Sequence, residues 1–145
     1  MGITTAMCTS FKSELLGGLH DLDTDSLKLA LIKPSNSGTY GAATTNYSNV
    51  TDNSDEATGT NYSAGGQALD SPSITVSGTT AMVDFADEVF SNVSTSADGC
   101  IIYNTANSNS AICVIDFGGT VTAVAGDLTI EFPAVGASTT IIRIA

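Results

Sequence analysis

The sequence predicts a mainly β fold: a two-sheet, antiparallel, jelly-roll-like β-sandwich with one short N-terminal α-helix. Three observations carry this expectation. Apolar residues fall in short runs rich in Val, Ile and Phe that alternate with polar residues, the period of a half-buried strand. Gly, Asn, Asp and Ser collect between those runs, where turns need them. Hydrophobic residues make up 42% of the chain and charged residues only 13%, so Ser, Thr, Asn and Gly must supply the polar surface, which disfavours helices with charged faces. A chain of 145 residues predicts a single domain over 1–145, long enough to bury a sizeable core.

The helix is expected over about 9–19. Phe11, Leu15 and Leu19 recur at i, i+4 and i+8, with Met7 one step earlier, so they share one face. Thr9 or Ser10 can accept a hydrogen bond from the first turn, and Gly17-Gly18 marks the end. The stripe suits packing on the sheet or contact with a partner chain. Asp21, Asp23 and Asp25 then alternate like the opening of a calcium loop. Ser26 and Ile32 stand where such a loop needs Gly and a bidentate Glu, so a solvated turn is expected and no metal. A strand follows over 26–33, with Leu27, Leu29 and Leu31 on one side and Lys28, Ala30 and Ile32 on the other. Pro34 stops it, because proline has no N–H for the ladder.

The stretch 34–66 is a long polar excursion. Val50 is its only aliphatic residue larger than alanine, and residues 35–66 contain no Lys or Arg. It is expected to be ordered, with a short helical turn near Thr45, because structureless loops of this length are uncommon in compact domains. It holds Tyr40, Tyr47 and Tyr62. Small polar residues around tyrosine anchors suit a protein interface; alternatively the tyrosines fold back on the sheet. Ile3 and Met7, before the helix, complete the candidate interface residues.

Beyond residue 67 the pattern is strands and turns. Short strands are expected at 68–69, 73–77 around Ile74 and Val76, 81–85 and 88–93. A central hairpin pairs Cys100-Ile101-Ile102-Tyr103 with the run from Ala111 to Phe117. Gly118-Gly119 is expected to turn the chain into 120–124, and Gly126-Asp127 into 128–132. A last strand lies at 139–144. That makes eight to nine short strands.

The net charge is −11, and its placement narrows the partners. Lys12, Lys28, Lys33 and Arg143 are the only Lys and Arg, and eleven acids lie between residues 34 and 142. Phosphate backbones bind through Lys and Arg, so no nucleic acid and no membrane partner is expected; a neutral or basic protein surface fits better. Met1 begins no basic, apolar leader, and no apolar run approaches the ~20 residues of a membrane span. Cys8, Cys100 and Cys113 lack zinc-site spacing. Cys100 and Cys113 fall roughly opposite one another in the hairpin, so a disulfide is conceivable, while three buried thiols is the plainer reading.

No catalytic, cofactor or metal site is predicted, and the chain does not read as an enzyme. His20 is the only histidine, and no nucleophile elbow or phosphate loop is present. Asp84, Asp87 and Glu88 form the densest acid cluster among the strands. Paired carboxylates can serve glycoside hydrolysis, but there is no Trp for a sugar platform. Capping a strand end or meeting a basic neighbour is the expected role.

Several stretches together resemble a group of small virion proteins of tailed bacteriophages. They are Thr4-Thr5-Ala6-Met7-Cys8-Thr9-Ser10-Phe11-Lys12-Ser13-Glu14-Leu15-Leu16, Tyr62-Ser63-Ala64-Gly65-Gly66 and Val83-Asp84-Phe85-Ala86-Asp87. Later come Ile101-Ile102-Tyr103-Asn104, Val114-Ile115-Asp116-Phe117-Gly118, Gly126-Asp127-Leu128-Thr129-Ile130-Glu131-Phe132-Pro133 and Ile141-Ile142-Arg143-Ile144-Ala145. The resemblance runs nearly end to end and is weakest over 35–60. It implies a capsid decoration (cement) protein, a viral structural protein on the outer capsid surface, made in the host cytoplasm. The implied partners are the major capsid protein and further copies of the chain as a homotrimer. A tail, baseplate or fibre-associated adaptor is the alternative, and a glycan-binding receptor module a third. The resemblance carries no catalytic residues and no cofactor.

Overall fold

The computed structural model describes residues 2–145. Its elements are β1 (Gly2–Ile3), β2 (Ala6–Met7), α1 (Thr9–Leu16), β3 (Leu27–Ile32), β4 (Thr39–Tyr40) and α2 (Ser48–Thr51). They continue with β5 (Gln67–Ala68), β6 (Ser73–Ser77), β7 (Thr80–Asp84), β8 (Glu88–Asn104), β9 (Ser110–Ile130) and β10 (Ile142–Ile144). The fold is mainly β and sandwich-like, with antiparallel sheets and one helix longer than a single turn. A five-stranded sheet runs β2-β9-β8-β3-β5, and a three-stranded sheet runs β10-β7-β6. A small parallel pair, β1 with β4, sets Ile3 opposite Tyr40.

Expectation placed five separate strands between residues 88 and 132. The structure runs them as two continuous ones, β8 and β9, joined by a 3-10 turn over Thr105–Asn107. Gly118-Gly119 and Gly126-Asp127 bend β9 and do not reverse it. Gly118 (φ 77) and Ala125 (φ 48) take left-handed backbone, and the β8–β9 register shifts between Phe90 and Val93, Val93 and Thr95, Ala97 and Gly99, and Ile102 and Tyr103. Such bulges let a strand bend and twist without ending.

The helix also stops earlier than expected. Cys8 is its N-cap and no side chain caps it, so neither Thr9 nor Ser10 plays that part. At the other end Gly18 takes φ +76. Leu19 N–H then bonds Glu14 C=O (2.9 Å) and Gly18 N–H bonds Leu15 C=O (3.1 Å). This paired closure around a left-handed glycine ends a helix by satisfying its last carbonyls. Phe11 is buried and Leu15 packs on the core, but Leu16 and Leu19 are exposed. Met7 lies in β2 rather than on the helix, opposite Cys113.

β3 falls within the expected run and is buried on both sides, with Lys28 alone half-exposed. It lies between β8 and β5. β6 and β7 match the expected runs closely, while the last strand shortens to β10. The expected helical turn appears as α2, a few residues after Thr45. All three cysteines are free and buried. Cys100 faces Ile115 and Cys113 faces Ile102, so the two are offset by two residues and not directly opposite. Burial pushes the Cys8 thiol up to about 12 and raises Cys100 and Cys113 as well. Thiolate is the reactive form, so these thiols are inert in the folded protein.

Two predictions follow from this packing. Gly66 takes φ +72, and a Cβ there would lie 1.8 Å from the Leu29 carbonyl oxygen, whereas one at Gly78 (φ +60) meets nothing. In urea unfolding, Gly66→Ala should cost about 3 kcal/mol or more and Gly78→Ala about 1 kcal/mol. A chromogenic disulfide reagent should leave native protein almost unlabelled and titrate three thiols per chain after denaturation.

Candidate protein interface

The structure brings the five candidate interface residues into two groups, and turns most of each inward. Ile3 is half-buried over Gly99, where a Cβ would meet its side chain at 3.0 Å. Through β1 and β4 it is paired with Tyr40, which is 1% exposed. Met7 is half-buried at the edge of the large sheet. Tyr47 and Tyr62 meet at Glu56 instead. Tyr40 therefore presents no surface to a partner, contrary to the interface reading of the excursion. Tyr47 and Tyr62 are half-buried, and both pack against the core.

The reason is a pair of adjacent carboxylates that the sequence reading did not single out. Asp55 is fully buried. It accepts hydrogen bonds from Tyr40 Oη (2.6 Å), Gly38 N (2.8 Å) and Ser37 N (2.9 Å), with Lys33 Nζ at 3.5 Å. Glu56 accepts from Tyr47 Oη, Tyr62 Oη (2.9 Å) and Gly65 N (2.6 Å). Tyr62 Oη in turn accepts Leu31 N–H at 2.9 Å. Tyr47 stacks on Tyr103 with ring centroids 4.4 Å apart, and Tyr62 lies against Phe90 at 5.6 Å. The available signal was two neighbouring acids in a tyrosine-rich stretch that lacks Lys and Arg.

These contacts perturb titration in opposite directions. Burial pushes the Asp55 carboxyl up, but the hydrogen bonds from Tyr40, Ser37 and Gly38 outweigh it and hold the group at about 2. Burial and the bond to Asp55 push Tyr40 up to about 12. Burial, with the charge of Glu56, also raises Tyr47, Tyr62 and Tyr103.

The other singled-out groups are structural too. Asp25 Oδ2 gathers Asp21 N (3.0 Å), Asn104 Nδ2 (2.6 Å) and Asn107 Nδ2 (3.1 Å), so the acidic turn is a cap on the β8–β9 connection. Asn104 Nδ2 also reaches His20 Nδ1 at 3.0 Å. That nitrogen must accept, which leaves His20 Nε2 to donate to Glu14 at 2.6 Å. In the acid cluster, Asp87 accepts from Phe132 N (2.8 Å). Glu88 is buried, and burial followed by the charge of Asp70 raises its pKa. Among the described residues, no group of three or more His, Cys, Asp or Glu is placed to hold a metal ion.

Two surfaces remain open to a partner. Asp52, Asp70, Asp87, Asp116, Asp127 and Glu131 are exposed acids, three of them on or beside β9. Separately, an apolar groove of about 450 Å³ opens between the end of α1 and the three-stranded sheet, lined by Leu15, Leu22, Ile74, Val83, Ile142 and Ile144 among others. No family model matches the chain, and no match is found among curated proteins or solved structures.

The Asp55 network makes a pH prediction. A depressed carboxyl stabilises the fold above its ordinary value of 3.8, and that contribution is lost as pH falls toward about 2. At roughly 1.4 kcal/mol per pH unit this amounts to about 2 kcal/mol. Asp55→Asn should lower stability at neutral pH by about 2–4 kcal/mol and flatten the loss between pH 4 and 2 (approximate bounds of that window), measured by denaturant unfolding at each pH.

Proposed function

We propose that this chain is a virion structural protein that decorates and stabilises the outer shell of a tailed-phage capsid. The resemblance noted above, which runs nearly end to end and is weakest over 35–60, supports the reading, and so does the placement of charge. The observation that carries it is the set of exposed acids, Asp116 and Asp127 on β9 and Glu131 just beyond it, on a strand that β2 covers at Cys113 and Val114. A shell whose outer face supplies Lys and Arg complements this strip, and such complementarity sets placement and association rate. The partner is then the major capsid protein. Further copies of the chain, as the homotrimer the resemblance implies, would let weak footholds act together. A protein that binds the assembled shell and not its separate parts stabilises the shell by mass action. The chain has no catalytic part in this reading.

The adaptor alternative shares the fold and the charge, and copy number in the virion separates the two: hundreds for cement, tens or fewer for an adaptor (orders of magnitude). The glycan-binding alternative depended on an exposed cluster of tyrosines. With Tyr40 buried and Tyr47 and Tyr62 bonded to Glu56, it has no such cluster to draw on.

The test is co-sedimentation of purified protein with undecorated mature capsids over a salt series. Affinity should fall as salt rises, and a variant carrying Asp116→Asn, Asp127→Asn and Glu131→Gln should bind about tenfold or more weakly. No binding at low salt, or binding indifferent to salt and to these charges, would sink the reading.

A further inference from the structure

We propose that a groove beside a bulge in β9 takes a lysine or arginine side chain of a partner protein, with the aliphatic stem on the apolar wall and the charge at Glu131. The β8–β9 register makes the bulge. Gly99 pairs with Asp116 and Ala97 with Val121, so Asp98 alone stands against the run Phe117-Gly118-Gly119-Thr120. Gly118 takes φ +77, a left-handed backbone that glycine adopts without a Cβ penalty. A Cβ at Gly119 would meet nothing, so the looped-out run is open on that side. Thr120 Oγ1 donates to Asp98 at 2.5 Å and ties the run back to β8. Bulges re-aim side chains and gather near functional sites. Here Phe117 leaves the ladder and packs, half-buried, against the core.

The groove holds about 280 Å³ and is lined by Ile115, Phe117, Val121, Phe132, Ile141 and Glu131 among others. Phe132 is held in place twice: its ring lies 6.0 Å from that of Phe85, and its N–H donates to Asp87 at 2.8 Å. Val121 is 42% exposed and Glu131 is exposed, so a partner can reach the wall. Glu131 is the one charged residue of the lining, and no Lys or Arg joins it. The ion pairs among the described residues are His20 with Glu14 and Lys33 with Asp55, and neither uses Glu131. Arg143 stands two residues beyond Ile141, but it donates to Thr140 C=O at 2.6 Å and lines the groove beside α1.

Charge and wall chemistry select the occupant. An apolar groove with one carboxylate suits a side chain that is apolar along its stem and cationic at its tip, which describes Lys and Arg. The two aromatic residues of the wall add attraction for a cation. An aliphatic side chain would leave Glu131 without a partner. An acidic one would meet Glu131, with the exposed Asp116 and Asp87 beside Phe117 and Phe132, and be repelled. A second copy is a poor source, because this chain has only four Lys and Arg and a net charge of −11. The occupant therefore comes from a different, more basic protein. That this protein is the major capsid protein rests on the reading above; that the groove takes a cationic side chain does not.

An NMR titration of the full chain tests it, with acetyl-Gly-Lys-Gly-amide and its arginine counterpart as probes. Both should shift the amides of Phe117, Val121 and Glu131 in a saturable way, with a Kd on the order of 10 mM or below. The norleucine peptide keeps the stem without the charge and should bind about fivefold or more weakly. Glu131→Gln should erase that difference, and Val121→Asn should weaken the lysine peptide about threefold or more, both with an unchanged far-UV spectrum. Asp23→Asn, which removes an exposed acid in the turn after α1, should bind as wild type does. Shifts that miss these three amides, equal binding of the lysine and norleucine peptides, or the same loss in Asp23→Asn as in Glu131→Gln overturns the proposal. Peptide binding by a chain that does not bind capsids supports the groove and counts against the cement reading alone. Capsid binding without these shifts overturns the groove and leaves the cement reading standing.

Discussion

β3 is enclosed on both faces, and much of the chain's path answers to that. A strand without a solvent face cannot leave its N–H and C=O groups to water, so both edges need partners. β8 takes one edge over its whole length, from Leu27 opposite Asn104 to Ile32 opposite Gly99. No single strand takes the other. β5 covers Lys28 and Leu29, the backbone of Asp55 and Ala57 covers Leu31 and Lys33, and Tyr62 Oη covers Leu31 N–H. The excursion between β3 and β5 is therefore the missing edge of the sheet, supplied in pieces. Its two neighbouring carboxylates hold the pieces in place: Asp55 collects the segment around Ser37 and Tyr40, and Glu56 collects Tyr47, Tyr62 and the turn at Gly65.

This explains which parts of the fold were legible in the sequence. Periodicity is a local signal, and it located α1, β3, β6 and β7 to within a few residues. It could not say whether a glycine pair reverses a strand or bends it, because both need the same backbone freedom. At Gly118-Gly119 the partner strand decides, and β8 continues alongside. The two-faced burial of β3 is likewise not written in the alternation, which says which residues share a side but not what covers each side. The candidate interface fared differently for a related reason. Tyr40, Tyr47 and Tyr62 look like surface anchors in a polar stretch, but their hydroxyls find Asp55 and Glu56, and a buried tyrosine needs only such a partner. Those pairings span six to fifteen residues across a folded excursion, beyond the reach of any local pattern.

The molecule consequently presents two kinds of surface. The acidic one is spread over loops and the irregular length of β9, where bulges disturb the edge and β2 covers part of it. The apolar one is gathered at β6 and the groove beside α1, whose lining also includes Asp21 and Arg143. An irregular charged edge favours long-range, salt-sensitive attraction, while an apolar groove favours short-range burial. The two can act together without competing for residues.

Acid acts on these two populations of carboxylates with opposite sign. Asp55 is held at about 2 by donors that want its charge, so protonating it removes bonds from the excursion and, through it, from the second edge of β3. Protonating Asp116, Asp127 or Glu131 instead lowers the net negative charge and eases repulsion within and between chains.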